Sequence, residues 1–184
     1  MAEGIFAGLP RTRGWPMPAG MTDADSRLSE AFKLAMRRMA ATVNVISICV
    51  DGKPMGITAT AVSAVSMDPP SLLVCVNQAA QVHPSIENVD HFNVNVLHRD
   101  QADVATMFAD RKLEAQRVLA GWDNDCLSPP RLRGAQASIL CRRTDHHRFG
   151  THSIFIGVVE QVLTRAEIDP LVYLDGRFCS AACA

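Results

Sequence analysis

The spacing of apolar residues along the chain predicts a mainly β protein with a few peripheral helices. In the segment 25–39, apolar residues recur at intervals of three and four, which is the period of an amphipathic helix. Asp25 or Ser26 can cap its start. We expect this helix to lie on a sheet and to bury the stripe formed by Leu28, Ala31, Phe32, Ala35, Met36 and Met39.

Short β-branched and apolar runs follow this helix at close spacing. The first run is joined to the second by the turn 51–54, whose sequence Asp-Gly-Lys-Pro favours a hairpin. The second run alternates and then loses phase near Ala61-Val62, which predicts a bulge or bend. Pro69-Pro70 ends it. Strands are predicted at 43–50, 58–66, 71–76, 92–97, 134–143, 153–162 and 171–174.

Two further helices are predicted between these strands. A short one spans 83–88, with Pro84 near its start. An amphipathic one spans 101–119 and exposes Asp110, Arg111, Lys112 and Glu114. Short, closely spaced strands with helices inserted among them predict a closed barrel carrying peripheral helices.

Composition narrows the class of protein without naming a function. The chain has 184 residues, 48% of them hydrophobic, which suits one globular domain. We assign residues 25–184 to it and expect the Gly-, Pro- and Arg-containing residues 1–24 to be a flexible extension. A formal net charge of −1 gives no electrostatic basis for binding nucleic acid or an anionic membrane. No apolar run approaches the roughly 20 residues that span a bilayer. With no signal peptide recognisable, we expect a cytoplasmic protein.

Cysteine and histidine placement argues against disulfides and metals. The six cysteines include no Cys-x-x-Cys pair and are expected to be free thiols. His146 and His147 are adjacent, so on a strand they point to opposite faces. No metal site is expected, and no glycine-rich nucleotide loop or nucleophile elbow is present.

Two segments carry the candidate chemistry. Gly56 to Asn77 sets two Thr and several Ser among small residues, a composition that lets a flat ligand approach the backbone. A buried strand with satisfied hydroxyls would have the same composition. Residues 150–158, Gly-Thr-His-Ser-Ile-Phe-Ile-Gly-Val, place a histidine before an alternating strand.

Together these segments resemble the flavin reductase-like family. The matching motifs are Thr58-Ala59-Thr60, the segment Ser63 to Ser66 with Pro69-Pro70, and Gly150-Thr151-His152. They occur in family order, and the resemblance covers about residues 32–178. It implies a split β-barrel, usually a homodimer, that binds FMN or possibly FAD. It also implies hydride transfer from NADH or NADPH, with the reduced flavin leaving for a separate monooxygenase.

The resemblance assigns roles to individual residues. Thr58, Ala59 and Thr60 match the loop that lines the flavin ring, and Ser63 matches a hydroxyl near the ribityl chain. Asn77 follows the third predicted strand, as in the family, and Gln78 sits where an arginine or lysine is often found. His152 matches a histidine on the nicotinamide side, although it could instead satisfy a backbone carbonyl. Tyr173 walls the pocket or packs in the core.

The chain also departs from the family pattern. Ala80 and Val82 stand where relatives have hydroxyls that grip the flavin phosphate, and Gln78 replaces an arginine or lysine. Either Gln81 and His83 compensate, or flavin is bound loosely as a substrate. Two alternative activities remain open: reduction of another acceptor such as a corrinoid through bound flavin, and flavin carriage without turnover.

Overall fold

The fold is mainly β, with helices at its periphery. A computed structural model describes residues 23–123 and 129–181. The helices are α1 (Asp23–Met36), α2 (His83–Ile86) and α3 (Ala102–Ala109), with 3-10 helices at Arg99–Gln101 and Arg111–Leu119. The strands are β1 (Ala41–Thr42), β2 (Asn44–Val50), β3 (Lys53–Ala59), β4 (Val62–Met67), β5 (Pro70–Asn77), β6 (His91–Val96), β7 (Trp122–Asp123), β8 (Arg131–Leu132), β9 (Ala137–Phe149), β10 (His152–Thr164), β11 (Leu171–Leu174) and β12 (Arg177–Ser180).

Seven of these strands form one antiparallel sheet in the order β3-β2-β6-β9-β10-β5-β4. The strands at its two ends, β3 and β4, are joined by Thr60 and Ala61 alone. In a flat sheet these strands would be roughly 29 Å apart, since neighbours are spaced about 4.8 Å. The link from Ala59 to Val62 spans at most about 11 Å, three Cα steps. The sheet therefore curls until its ends meet, and β3 contacts β5.

The predicted mainly β class is confirmed, whereas the predicted closure of the sheet into a barrel is not. No ladder joins β3 to β4 within the described ranges, so the hydrogen-bonded ring is open. The predicted bend near Ala61-Val62 is the break between β3 and β4, and a register shift follows between Ala64 and Ser66. A smaller sheet, β1-β11-β12, lies beside the large one, and β7 pairs with β8.

Strand β2 explains how the core is divided. Ile46 and Ile48 belong to one buried cluster, while Val43, just before the strand, and Val45 belong to another. Because both faces of β2 are covered, its sequence is β-branched without alternation. The first cluster fills the curl of the sheet with Leu72, Val74, Val76, Phe92, Val94, Cys141 and Phe155. The second lies under α3 and includes Leu97, Ala105, Phe108, Trp122, Leu132 and Leu171.

A buried amide joins four strands. Asn95 Nδ2 donates to Val45 O at 3.0 Å and to Ser47 Oγ at 2.9 Å. Its Oδ1 accepts from Leu132 N at 2.9 Å and from Ser138 Oγ at 3.1 Å. Asn95 lies on β6, and its partners lie on β2, β8 and β9. A side chain with every strong hydrogen-bonding position occupied satisfies the requirement for burial.

Helix α1 differs from expectation in its packing. It spans nearly the predicted residues, but Leu28 is 70% exposed and Phe32 is 63% exposed, so its apolar stripe does not cover the sheet of its own chain. Its end is tied to the turn between β11 and β12, because Arg37 Nε donates to Asp175 Oδ1 at 3.0 Å. The apolar face is thus presented outward.

The bounds of other helices and strands also differ from the predicted ones. The predicted helix 101–119 is divided at Asp110, whose backbone is extended and whose carboxylate caps the following 3-10 helix. Strands β9 and β10 run longer than predicted, and β3 begins at Lys53, within the predicted turn. The short strands β1, β7, β8 and β12 were not predicted. Cys49, Cys75, Cys141 and Cys179 are free, as expected, while Cys126, Cys183 and nearly all of the expected extension 1–24 fall outside the described residues. No described helix has the length and apolarity needed to cross a bilayer.

Candidate flavin-binding site

A groove runs between β3, the loop after β5 and the helical segment 102–119. Its inner part is a cavity of about 220 Å³ lined by Gly56, Ile57, Asn77, Ala79–Val82, Phe108, Ala109, Arg111 and Arg117. Its outer part, of about 750 Å³, shares Gly56, Gln81, Val82 and Arg117 with the inner one and extends to Lys53, Lys112 and Val118. The two parts therefore form one continuous groove with an apolar floor. Its walls carry the cations Lys53, Arg111, Lys112 and Arg117 and one carboxylate, Glu114.

The floor of the groove depends on a glycine. A Cβ on Gly56 would lie 3.0 Å from Ile46 O and 3.1 Å from the Phe108 ring, closer than side chains normally approach. Beside it, Thr58 Oγ1 donates to Ala105 O at 2.7 Å, which fastens β3 to α3. The small residues at the start of the motif thus let the helix approach the sheet and leave a concave surface in front of it.

The loop after β5 is shaped by Asn77. Its Oδ1 accepts from Ala79 N at 2.8 Å, and its carbonyl accepts from Ala80 N at 2.9 Å. Two contacts then join this loop to the helical segment: Gln81 Nε2 donates to Glu114 Oε1 at 2.6 Å, and Arg111 donates to Ala79 O. The loop and the segment form opposite walls of the inner cavity.

Arg117 fixes the cationic wall in place. Its guanidinium donates to the carbonyls of Met107, Gly56, Phe108 and Asp110 at 3.1 to 3.4 Å and lies 5.4 Å from the centre of the Phe108 ring. Burial lowers the pKa of the Arg117 guanidinium from its ordinary value. Its hydrogen-bond partners are backbone carbonyls, and the nearby carboxylates of Glu114 and Asp110 act on its charge without a direct hydrogen bond to it.

The histidine motif lies at the end of β5. His152 pairs with Asn77 across the β5–β10 ladder. Gln78 holds the turn before β10: its Nε2 donates to His152 O at 3.0 Å, and its backbone N donates to Thr151 O at 2.9 Å. The imidazole is exposed, and its Nδ1 lies 2.9 Å from Thr151 Oγ1. The structure thus brings Asn77, Gln78 and His152 together beside the cavity.

Other predicted site residues lie elsewhere in this chain. Ala59 packs against the core, while Thr60 and Ser63 are exposed in and after the β3–β4 link. Tyr173 lies in the small sheet against Phe178, with ring centres 5.6 Å apart. None of these four is among the residues that line the described groove.

His83 is placed differently from the prediction. It is 4% exposed, its Nε2 lies 2.8 Å from Ser153 Oγ, and its ring packs edge-on against Phe155. Desolvation lowers its pKa, and nearby Glu87 opposes that shift. In this arrangement the imidazole supports the core and has no open path to a ligand, so it does not replace the hydroxyls missing at positions 80 and 82.

Arg111, Arg117 and Phe108 were not predicted as site residues. The sequence assigned Arg111 to the solvent face of a continuous helix, whereas the break at Asp110 turns the following segment back toward the groove. The only hint in the sequence was that Arg111 and Arg117 follow Phe108 within nine residues. That spacing does not by itself predict the turn at Asp110.

The lining of the groove suits both the phosphate and the planar ring of a flavin. The small side chains and the Gly56 cradle leave room for a planar group, and Arg111 and Arg117 supply positive charge where an anionic phosphate would need it. Comparison with known proteins decides the family: the model described as "Flavin reductase like domain" matches residues 36–182. The chain belongs to the flavin reductase-like family.

Individual relatives agree with this assignment. The chain is 38% identical over 165 residues to the reductase component of FADH(2)-dependent resorcinol hydroxylase from Rhizobium sp. (strain MTP-10005), covering 86% of this chain and 90% of that protein. It is 37% identical over 147 residues to FMN reductase (NADH) RutF from Stutzerimonas stutzeri (strain A1501), covering 79% and 84%.

Solved structures agree as well. BorF, the flavin reductase component of a bacterial two-component tryptophan halogenase, is 33% identical with a TM-score of 0.75, covering 83% of this chain and 97% of that one. SgcE6, an NADH:FAD oxidoreductase of Streptomyces globisporus C-1027 solved with NAD and FAD fragments, is 26% identical with a TM-score of 0.77, covering 88% and 96%.

Proposed function

We propose that this protein is an NAD(P)H-dependent flavin reductase that supplies reduced flavin to a separate monooxygenase. The observation that carries the proposal is the open groove with cationic walls beside the Asn77–Gln78–His152 cluster, in a chain of this family. Relatives named as FMN reductase (NADH) and as the reductase component of an FADH(2)-dependent hydroxylase support the activity. A bound flavin supplies the hydride-accepting chemistry.

The residues of this chain have positioning roles in the proposal. Arg111 and Arg117 hold the flavin phosphate, and the backbone around Gly56 and Ile57 faces the ring. Asn77 fixes the loop 78–82, which closes one side. His152, exposed beside Asn77, orients the nicotinamide dinucleotide. Because proximity and orientation carry most of the rate in such a reaction, no carboxylate pair is required.

The openness of the groove favours turnover over carriage. A carrier would cover the flavin, whereas both parts of this groove are open to solvent in a single chain. FMN is the preferred flavin in the proposal, FAD is a second substrate, and NADH or NADPH is the donor.

The proposal includes a split-barrel homodimer. The curled seven-stranded sheet supports the barrel, although its hydrogen-bonded ring is open. The outward apolar face of α1 and the half-exposed aromatic pair Tyr173 and Phe178 support a second copy, because large apolar surfaces are usually covered. A cytoplasmic location is part of the same proposal. Sedimentation of the purified protein tests the dimer directly, and a monomer at micromolar concentration would contradict it.

The activity is tested by following NADH and NADPH oxidation with added FMN, FAD or riboflavin. We expect saturable, flavin-dependent turnover. Flavin binding without turnover with either donor would contradict the proposal and indicate a carrier or a reductase of another acceptor.

The phosphate role has a sharper test, since riboflavin lacks the phosphate. Arg111→Gln removes a hydrogen bond to a charged group, roughly 1.5–3 kcal/mol. We therefore expect FMN affinity to fall about ten- to hundredfold while riboflavin affinity is unchanged. Lys112→Gln, the adjacent cation, lines only the outer part and is the matched control. Equal losses for FMN and riboflavin would show that Arg111 shapes the wall without contacting phosphate.

The role of His152 is tested by His152→Ala. We expect a lower hydride-transfer rate or a higher KM for the dinucleotide, with flavin affinity nearly intact. A collapse of flavin affinity would instead place His152 against the flavin.

A further inference from the structure

A second group of polar side chains lies at the end of β6, and none of its members lines the groove. His98, Glu167 and Asp169 each bring one ligand-type atom into a group whose atoms all lie within 4.8 Å of one another. The His98 side chain is 3% exposed and that of Asp169 is 15% exposed, whereas Glu167 is 62% exposed. The group thus has two largely buried members, His98 and Asp169, and one solvent-facing member, Glu167.

Two buried atoms in this group have no hydrogen-bond partner. They are His98 Nε2 and Asp169 Oδ1, two of the four such side-chain atoms within the described residues. A buried polar atom without a partner costs about 1–3 kcal/mol, so such atoms are rare unless something occupies the space beside them. Two of them in one cluster point to a shared occupant.

The remaining atoms of these side chains are already engaged. Asp169 Oδ2 pairs with Arg99 Nη1 at 3.0 Å, and Glu167 Oε2 lies 3.4 Å from Arg165 Nη2. His98 Nδ1 lies 3.3 Å from both the backbone N and Oδ2 of Asp100. In this structure Nδ1 accepts from the backbone N of Asp100, which leaves the proton on Nε2. Metal binding at Nε2 requires the other tautomer, in which Nδ1 carries the proton and donates to Asp100 Oδ2 in place of that bond. A carboxylate behind an imidazole in this way is the usual support of a metal-bound histidine.

The backbone holds the two segments together before any ligand binds. Arg99 N donates to Asp169 O at 2.9 Å, and His98 forms a β-bridge with Pro170. Gln136 fastens the loop from the other side: its Oε1 accepts from Asp169 N and its Nε2 donates to Glu167 O, both at 2.7 Å. The two backbone segments that carry the ligands are therefore held next to each other in advance, which lowers the entropy lost on binding.

We propose that His98, Asp169 and Glu167 bind a divalent transition-metal ion of the Zn²⁺ type. One imidazole nitrogen and two carboxylate oxygens suit zinc and its neighbours, whereas Ca²⁺ and Mg²⁺ prefer oxygen ligands alone. Zinc ligands lie about 2.0–2.2 Å from the metal, so the three atoms must approach to about 3–3.5 Å of one another. Glu167 can approach by changing rotamer because its side chain is exposed, His98 and Asp169 must also draw together when the ion binds, and water completes the coordination. The ion ties the loop 165–169 to the end of β6.

The test is zinc binding by the full-length protein after treatment with chelator. We expect one Zn²⁺ per chain by equilibrium dialysis, with loss of that site in His98→Ala and in Glu167→Gln. Glu167 is exposed, so the second variant folds even if removal of the buried imidazole destabilises the protein. Asp100→Ala should weaken binding about ten- to hundredfold, as for other residues that support a metal-bound histidine. His147→Ala, which removes an exposed histidine on β9, is the matched control and should bind normally.

Cysteines are the competing zinc ligands in this chain, and cobalt distinguishes them. Co²⁺ bound by nitrogen and oxygen gives ligand-field bands without a thiolate charge-transfer band. Slower hydrogen exchange at the amides of Arg99 and Asp169 on metal addition should accompany binding. No stoichiometric binding by the wild-type protein, binding unaffected by Glu167→Gln, or a thiolate band at the tight site would each overturn the proposal.

Discussion

Replacing Arg117 with methionine tests the central contact of the groove. The change keeps a long apolar stem and removes the guanidinium that donates to the carbonyls of Gly56, Met107, Phe108 and Asp110. Hydrogen bonds from a charged donor contribute roughly 1.5–3 kcal/mol each, and the cation–π contact with Phe108 contributes about 0.5–1 kcal/mol.

These contributions do not add to their full sum. The four distances, 3.1 to 3.4 Å, are long, and Arg117 is half-exposed, so water replaces part of what is lost. Desolvation of the charge, which lowers the pKa of Arg117, already opposes the hydrogen bonds in the native protein. We therefore expect a loss of about 2–3 kcal/mol in the free energy of unfolding. At about 2–4 °C per kcal/mol for a chain of this size, Tm should fall by about 4–12 °C.

The assay combines urea and thermal unfolding with a fluorescence titration of FMN. Arg117→Met should also weaken FMN binding, because the 3-10 helix that carries Arg111 is released from α3. Arg142→Met is the matched control, since Arg142 forms a half-exposed ion pair with Glu160 at 3.0 Å. Such a pair contributes about 1 kcal/mol or less. If Arg117→Met lowered stability no more than Arg142→Met and left FMN affinity unchanged, the assignment of Arg117 as the anchor of the groove would be wrong.

Three further predictions concern single residues. Thr58→Val removes the hydroxyl that donates to Ala105 O and should cost roughly 0.5–1.5 kcal/mol of stability; Thr58→Ser should retain it, and equal unfolding midpoints for the two variants would contradict the role. Gly157→Ala places a Cβ 2.7 Å from the Cβ of Cys141, and this overpacking should lower the free energy of unfolding by about 1–3 kcal/mol. Gly52→Ala is the control in the same urea titration. Its Cβ would meet open space, so any loss of stability there comes only from the positive φ of that residue. Burial lowers the pKa of His83 from 6.5, so the unfolded chain binds its proton first and stability should decline as pH falls below about 6.5 toward the lower folded pKa. His83→Gln should flatten that part of the curve of unfolding free energy against pH, and an unchanged slope would show that His83 does not titrate across unfolding.

Local patterns predicted the strands well because each carries its own signal. The β-branched run of β2, the turn at Asp51-Gly52 and the apolar β5 lie within a residue or two of their predicted positions. The exposed β12 was missed because its sequence, Arg-Phe-Cys-Ser, has little apolar character and is ordered by pairing with β11. Packing that depends on distant residues has no such local signal.

The difference between local patterns and long-range packing also explains which features of the site were predicted. Asn77 and His152, which the resemblance assigned separately to the site, are adjacent because the β5–β10 ladder brings their segments together. The wall formed by Arg111 and Arg117 depends on a single extended residue, Asp110, within what reads as one amphipathic helix. A short helix was predicted at His83 and is observed as α2, but the helix pattern alone does not predict that the imidazole is buried against Ser153. The helical period likewise predicts that α1 has an apolar face, but the direction in which that face points depends on the tertiary arrangement.

The amide of Asn95 has a consequence for the chemical ageing of the protein. Deamidation would convert its Nδ2, which now donates to Val45 O and Ser47 Oγ, into a second oxygen. Two acceptors would then face each other at a position with no exposure to solvent. A protonated aspartate there could restore one of the two donated bonds and an ionised one neither, so hydrolysis of this one amide would weaken the four-strand junction and make its stability depend on pH.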